Sequence, residues 1–98
     1  MSAIRFEWDS RKAAANLRKH GVAFEEARTV FEDDEALFMS DAEHSVREER
    51  FVLVGLSAAL RVIVVVHCER GDGDGIRIIS ARKADRGERA DYATRRST

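Results

Sequence analysis

The stretch Val62-Ile63-Val64-Val65-Val66 does most to restrict what this chain can fold into. Successive side chains of a strand point to opposite faces, so a run that is apolar at every position needs cover on both. It is far shorter than the ~20 residues that cross a membrane as a helix, and Arg61 and Arg70 bracket it. The run therefore predicts the middle strand, residues 61–69, of a sheet covered on both sides. Its expected neighbours are Arg50 to Leu56, apolar in both phases through Phe51, Val52 and Val54, and Ile76 to Arg82, through Ile78 and Ile79. Gly71-Asp72-Gly73-Asp74-Gly75 consists of turn residues and predicts a hairpin into the latter.

Helical periods lie on either side of these strands. Asp9 or Ser10 can cap a helix through His20, with Gly21 as a left-handed stop. Phe24, Ala27, Val30 and Phe31 recur at helical spacing and give a second, short helix. Ala36 to Asp41 reads as a strand, and Asp85 with Glu88 resembles the capping box of a last helix through Tyr92. The order β-α-α-β-β-β-β-α predicts an α+β fold with a mainly antiparallel sheet of four to five strands, two N-terminal helices and one C-terminal helix. At 98 residues the chain, 1–98, reads as a single domain. Cys68 is the only cysteine, which excludes an internal disulfide and thiolate metal clusters, and the N-terminus lacks the apolar stretch of a signal peptide. A cytoplasmic protein, with no membrane contact, is the expectation.

The net charge of −1 conceals a segregation of charge. Residues 25–49 hold ten acids against Arg28 and Arg47, whereas residues 51–98 hold nine bases against six acids. Fourteen of the seventeen cations are arginine, the side chain whose planar fork suits phosphate. One reading is a solvated, ion-paired surface; the other is a basic face for an anionic polymer, with an acidic face opposite that a partner neutralises. Strict alternation along the last strand would place Arg77, Ile79 and Ala81 on one face and Ile76, Ile78, Ser80 and Arg82 on the other. Arg82, Lys83, Arg86, Arg89, Arg95 and Arg96 surround Tyr92, a combination suited either to single-stranded nucleic acid or to a helix rim of ion pairs. His20, His44 and His67 have no metal-ligand spacing, and no metal or other cofactor is expected. His67 beside Cys68 reads as a neutral core histidine next to a buried thiol.

Phe6-Glu7-Trp8-Asp9, Lys12-Ala13, Asn16, Lys19-His20-Gly21-Val22, Phe24-Glu25-Glu26-Ala27 and Val30-Phe31 occur in order. Asp41, His44-Ser45, Glu49-Arg50, Gly55-Leu56-Ser57, Arg61, Arg77-Ile78-Ile79-Ser80-Ala81-Arg82, Ala84, Glu88-Arg89 and Tyr92 follow. The series, from Phe6 to Tyr92, resembles the BrnT family, the toxin half of type II toxin–antitoxin modules. The chain departs from the family pattern at Asp34, where proline is common, and at Leu60, where glycine often precedes the arginine.

The resemblance implies a RelE-like fold, ribonuclease activity on messenger RNA with inhibition of translation, and neutralisation by a BrnA-like ribbon-helix-helix antitoxin. Promoter DNA would be bound only through the antitoxin complex. Cleaving RNA by its own 2′-hydroxyl needs a base, an acid and charge stabilisation on the phosphoryl oxygens, none of which requires a metal. Arg50, Arg61 and Arg82 are the expected phosphate ligands, and His44, Glu49 or Lys19 the candidates for proton transfer. Lys19 with Arg77, Ser80, Arg89 and a base-stacking Tyr92 would complete the substrate contacts. For Lys19 the plainer role is to complement the helix dipole, and for His44 it is loop hydrogen bonding. Two rival classes stay open: a non-catalytic protein-binding module, and a nucleic-acid-binding corepressor that never cuts.

Overall fold

The computed structural model describes residues 4–45, 48–71 and 73–97. Arg47 and Asp72, read above as part of the charge pattern and of the hairpin loop, lie outside them. The elements are β1 (Arg5–Glu7), α1 (Ser10–His20), α2 (Phe24–Thr29), β2 (Leu37–Ser40), β3 (Phe51–Leu56), β4 (Val62–Arg70), β5 (Gly75–Lys83) and α3 (Arg86–Ser97). Single 3-10 turns follow α2 at Val30–Glu32 and β2 at Ala42–His44. The strands form one sheet in the order β1-β5-β4-β3-β2, so the aliphatic run is central. β1 lies parallel to β5 and every other pairing is antiparallel. No described helix is long and apolar enough to cross a membrane.

β4 is buried on both faces, as its sequence requires. Ile63 and Val65 pack with Leu53, Ile76, Ile78 and Ala81 under Val22, Phe24, Ala27 and Val30, which come from α2 and its flanks. Val64 packs on the opposite face with Val54, Ala84 and Tyr92 beneath α3. Each fully buried aliphatic side chain contributes about 1.5–3 kcal/mol, so this two-sided strand is the main apolar anchor of the sheet. Two polar ties fix the layers around it. Asn16, buried on α1, donates from Nδ2 to the carbonyls of Val22 (2.9 Å) and Ala81 (2.8 Å) and accepts the Ala81 N–H at Oδ1 (3.1 Å). Asp33 accepts from the Leu56 N–H (2.8 Å) and from the Tyr92 hydroxyl, which fastens α3 to the turn after α2.

Alternation along β5 differs from the strict count. Val66 pairs with Ser80 but His67 pairs with Ile78, which leaves Ile79 as an extra residue in a bulge. The bulge puts Ile76, Ile78 and Ala81 together on the face covered by α1 and α2, and frees Ser80 and Arg82 for the other face. Both Ile79 and Ala81 are apolar, so composition gives no sign of the phase change. Leu60 is the one described non-glycine residue with positive φ, at 62°, in the tight turn between β3 and β4. Its departure from glycine thus falls where a Cβ is strained.

Candidate active site

α3 covers only part of its face of the sheet. Beside it lies a groove of about 480 Å³ lined by Met39, Asp41, His44, Arg50, Val52, Val64, Val66, Ile79, Ser80, Arg82 and Glu88. Its floor is apolar strand, and its polar groups come from the β2–β3 connection, the start of β3, the end of β5 and the first turn of α3.

Local hydrogen bonds position each polar group. The Asp41 N–H donates to the Arg50 carbonyl (2.8 Å), Ser45 Oγ donates to the Asp41 carbonyl (2.6 Å), and the Arg50 N–H donates to Ser45 Oγ (2.9 Å). This closed connection carries His44, whose Nδ1 lies 3.1 Å from each carboxylate oxygen of Asp41. A carboxylate only accepts, so Nδ1 carries a hydrogen and Nε2 is left to take or give a proton. Across the groove Glu88 and Asp85 complete a reciprocal capping box, each accepting the other's backbone N–H at 2.8 Å. Glu88 simultaneously takes both arms of Arg82, at 2.8 and 2.9 Å. That fork lowers the Glu88 carboxyl below its ordinary range and raises the Arg82 guanidinium further, so both stay charged. Arg50 has no ion-pair partner among the described residues.

The sequence candidates separate. His44, Arg50, Ser80 and Arg82 meet in the groove. Arg61 does not: it forks onto Glu26, donates to the Gly21 carbonyl (3.1 Å), and ties the start of β4 to α2. Its hydrogen bonds are also the main reason that the Glu26 carboxyl is held low. Tyr92 is 4 % exposed with its hydroxyl on Asp33, so its ring offers no open surface for a base. Arg89 donates to the Ala84 carbonyl (2.7 Å) and Arg77 lies 3.4 Å from Glu7. Lys19 is exposed in the last turn of α1, and Glu49 is exposed outside the groove lining.

Asp41 and Glu88 also line the groove and were not among the sequence candidates. Their signals were an Asp three residues before a His and the capping box itself. They also alter the electrostatic expectation. Within the groove the two halves of the chain mix, with Asp41 and His44 of the acidic segment lining it beside Arg82 of the basic one.

An oriented imidazole, two arginines and a hydroxyl in one open groove are groups of the kind that chemistry on a phosphodiester uses. Residues 8–88 match the family described as the ribonuclease toxin BrnT of type II toxin–antitoxin systems. The chain belongs to that family of ribonuclease toxins. Its fold is similar to the crystal structure of the Brucella abortus ribonuclease toxin BrnT, with a TM-score of 0.62 and 23% identity over 88% of this chain and 100% of that one. No curated protein sequence matches it.

Proposed function

We propose that the groove is the active site of an endoribonuclease that cleaves messenger RNA without a metal and so inhibits translation in the cytoplasm. The supporting observation is the convergence of His44, Arg50, Ser80 and Arg82 from three separate segments. In this reading the scissile phosphate sits against Arg50 and Arg82, with Ser80 as a further donor. His44 Nε2 takes the 2′-hydroxyl proton; the 2′-oxygen bonds to phosphorus as the P–O5′ bond breaks. The products are a 2′,3′-cyclic phosphate and a 5′-hydroxyl, whose proton is returned from the imidazolium. Asp41 holds the imidazole in the reactive tautomer and balances the imidazolium charge. Glu88 aims Arg82 and lowers the net positive charge of the groove, which makes Arg50 the principal anchor for phosphate. Arg61, Arg77, Arg89, Lys19, Glu49 and Tyr92 stand outside the reacting centre.

A BrnA-like ribbon-helix-helix antitoxin neutralises the protein in this reading, and promoter DNA is bound only through their complex. The test is incubation of purified, antitoxin-free protein with a long RNA in EDTA. Fragments ending in cyclic phosphate are expected, and should be lost in His44→Ala. Intact RNA with retained binding would instead assign a binding module.

A further inference from the structure

We propose that the antitoxin docks on the open edge of β2, adding a basic, extended segment as a further strand beside Leu37–Ser40. The proposal rests on the reading that this chain is held by an antitoxin, and it names where. β2 ends the sheet, with only β3 as a neighbour among the described residues. The Asp41 N–H donates to the Arg50 carbonyl, and the same register runs through Met39↔Val52 and Leu37↔Val54. Antiparallel pairs alternate, so the N–H and C=O groups of Phe38 and Ser40 face away from β3, towards the open edge.

Sheet edges are ordinarily blunted by charge, proline, a bulge or a cover. β1, the other edge, has only three residues, and its Arg5 and Glu7 are engaged by Asp74, Arg70 and Arg77. β2 reads Leu-Phe-Met-Ser, with no charge, and pairs without a bulge. Phe38 is 57% exposed and stacked on Phe51 with centroids 5.1 Å apart, which fixes a rigid apolar ledge at this edge. Such a row of outward backbone groups beside an anchored aromatic is what strand addition uses.

Charge selects the occupant. Exposed Glu32, Asp34 and Glu35 precede β2 and exposed Glu43 follows it, none with an ion pair among the described residues. A second copy paired antiparallel would set residues 32–35 of one protomer beside residue 43 of the other, a like-charge arrangement. A lysine- or arginine-bearing segment meets the opposite sign at both ends. Met39 lines the groove, and Asp41 and His44 follow directly, so a strand on β2 lies along the groove's rim. Inhibition then works by narrowing the path of RNA.

The test is hydrogen exchange of the individual amides in the free protein and in its complex with the cognate antitoxin. The Phe38 and Ser40 amides should exchange freely in the free protein and gain at least about tenfold protection in the complex. Phe38→Lys and Ser40→Pro should each weaken the complex by about tenfold or more while the free variants still cleave RNA. A stable complex with both amides unprotected and both variants binding normally would overturn this docking site and leave the antitoxin reading intact. Failure of the antitoxin to bind would overturn both. Protection that grows with protein concentration in the absence of antitoxin would give the edge to a second copy and overturn the proposal.

Discussion

His44 holds Nδ1 equidistant, at 3.1 Å, from the two carboxylate oxygens of Asp41 three residues before it. Because the pair sits within one hydrogen-bonded turn, its geometry is local and survives changes elsewhere in the groove. His44→Ala is expected to slow single-turnover RNA cleavage by about 10²-fold or more. Asp41→Asn should fall between that variant and the parent, since the amide can still orient the ring but cannot balance imidazolium. Equal RNA affinity in gel shift, with reduced cleavage, is the diagnostic pattern.

Arg82 and Arg61 both carry forked carboxylate pairs, yet their substitutions should separate activity from stability. Arg82→Ala is expected to reduce cleavage by about 10²-fold, the scale of losing a transition-state donor, with a small change in Tm. Arg61→Ala leaves the partly buried Glu26 with only the Ser57 hydroxyl and no charged partner, and should cost about 1–3 kcal/mol in denaturant unfolding. Once folded, it should retain near-parental cleavage. The reverse assignment of losses would move the reacting centre to the β4–α2 end.

Leu60 is strained and 79% exposed, with a φ of 62°, so little packing offsets the strain. Leu60→Gly relieves a left-handed penalty of about 1–2 kcal/mol against a backbone-entropy cost of about 0.5–1 kcal/mol. A net gain of roughly 0.5–1 kcal/mol should appear as a higher midpoint in urea, with unaltered cleavage.

Acid should unfold the protein in two stages. His67 is 2% exposed among Phe31, Phe38 and Phe51, and its Nδ1 has no hydrogen-bond partner among the described residues. Burial lowers its pKa from 6.5, against a backbone hydrogen bond to Val65 that raises it. The unfolded chain therefore binds this proton more readily, and stability falls once pH drops below 6.5, until the folded pKa is passed. Glu26 and Glu88 are lowered mainly by their arginine forks. Burial alone would raise Asp33, but hydrogen bonds from Leu56, Tyr92 and Glu35 together hold it low. These three contribute stability above the ordinary carboxylate range and lose it as pH falls through their folded values. His67→Phe should remove the first stage of a pH titration of urea midpoints and keep the second.

The middle strand was legible because five consecutive aliphatic residues leave a strand no solvent face. The α1 cap and stop were legible because they are local: Asp9 accepts from Arg11 and Lys12, and Gly21 has φ 69°. Partnerships across the chain were not. Nothing near Arg61 announces Glu26, thirty-five residues earlier, and nothing near Tyr92 announces Asp33, fifty-nine earlier. In both cases a residue type suited to RNA is used for packing, a distinction set by which segments fold together. Arg82 and His44 entered the candidate site by residue type and position; the groove that joins them depends on a phase change in β5 that period-two counting passes over.

Without Ile79, β5 would read Gly75-Ile76-Arg77-Ile78-Ser80-Ala81-Arg82, with Ile76, Ile78 and Ala81 already in step and Arg77, Ser80 and Arg82 in the other phase. The sheet could close without that residue; what it supplies is the bend and the groove wall. Chain length at this one position is therefore a dial on the site that the hydrophobic core does not hold fixed. Deleting either of the adjacent Ile78 and Ile79 gives the same shortened strand, which should melt cooperatively and have a reshaped cleft.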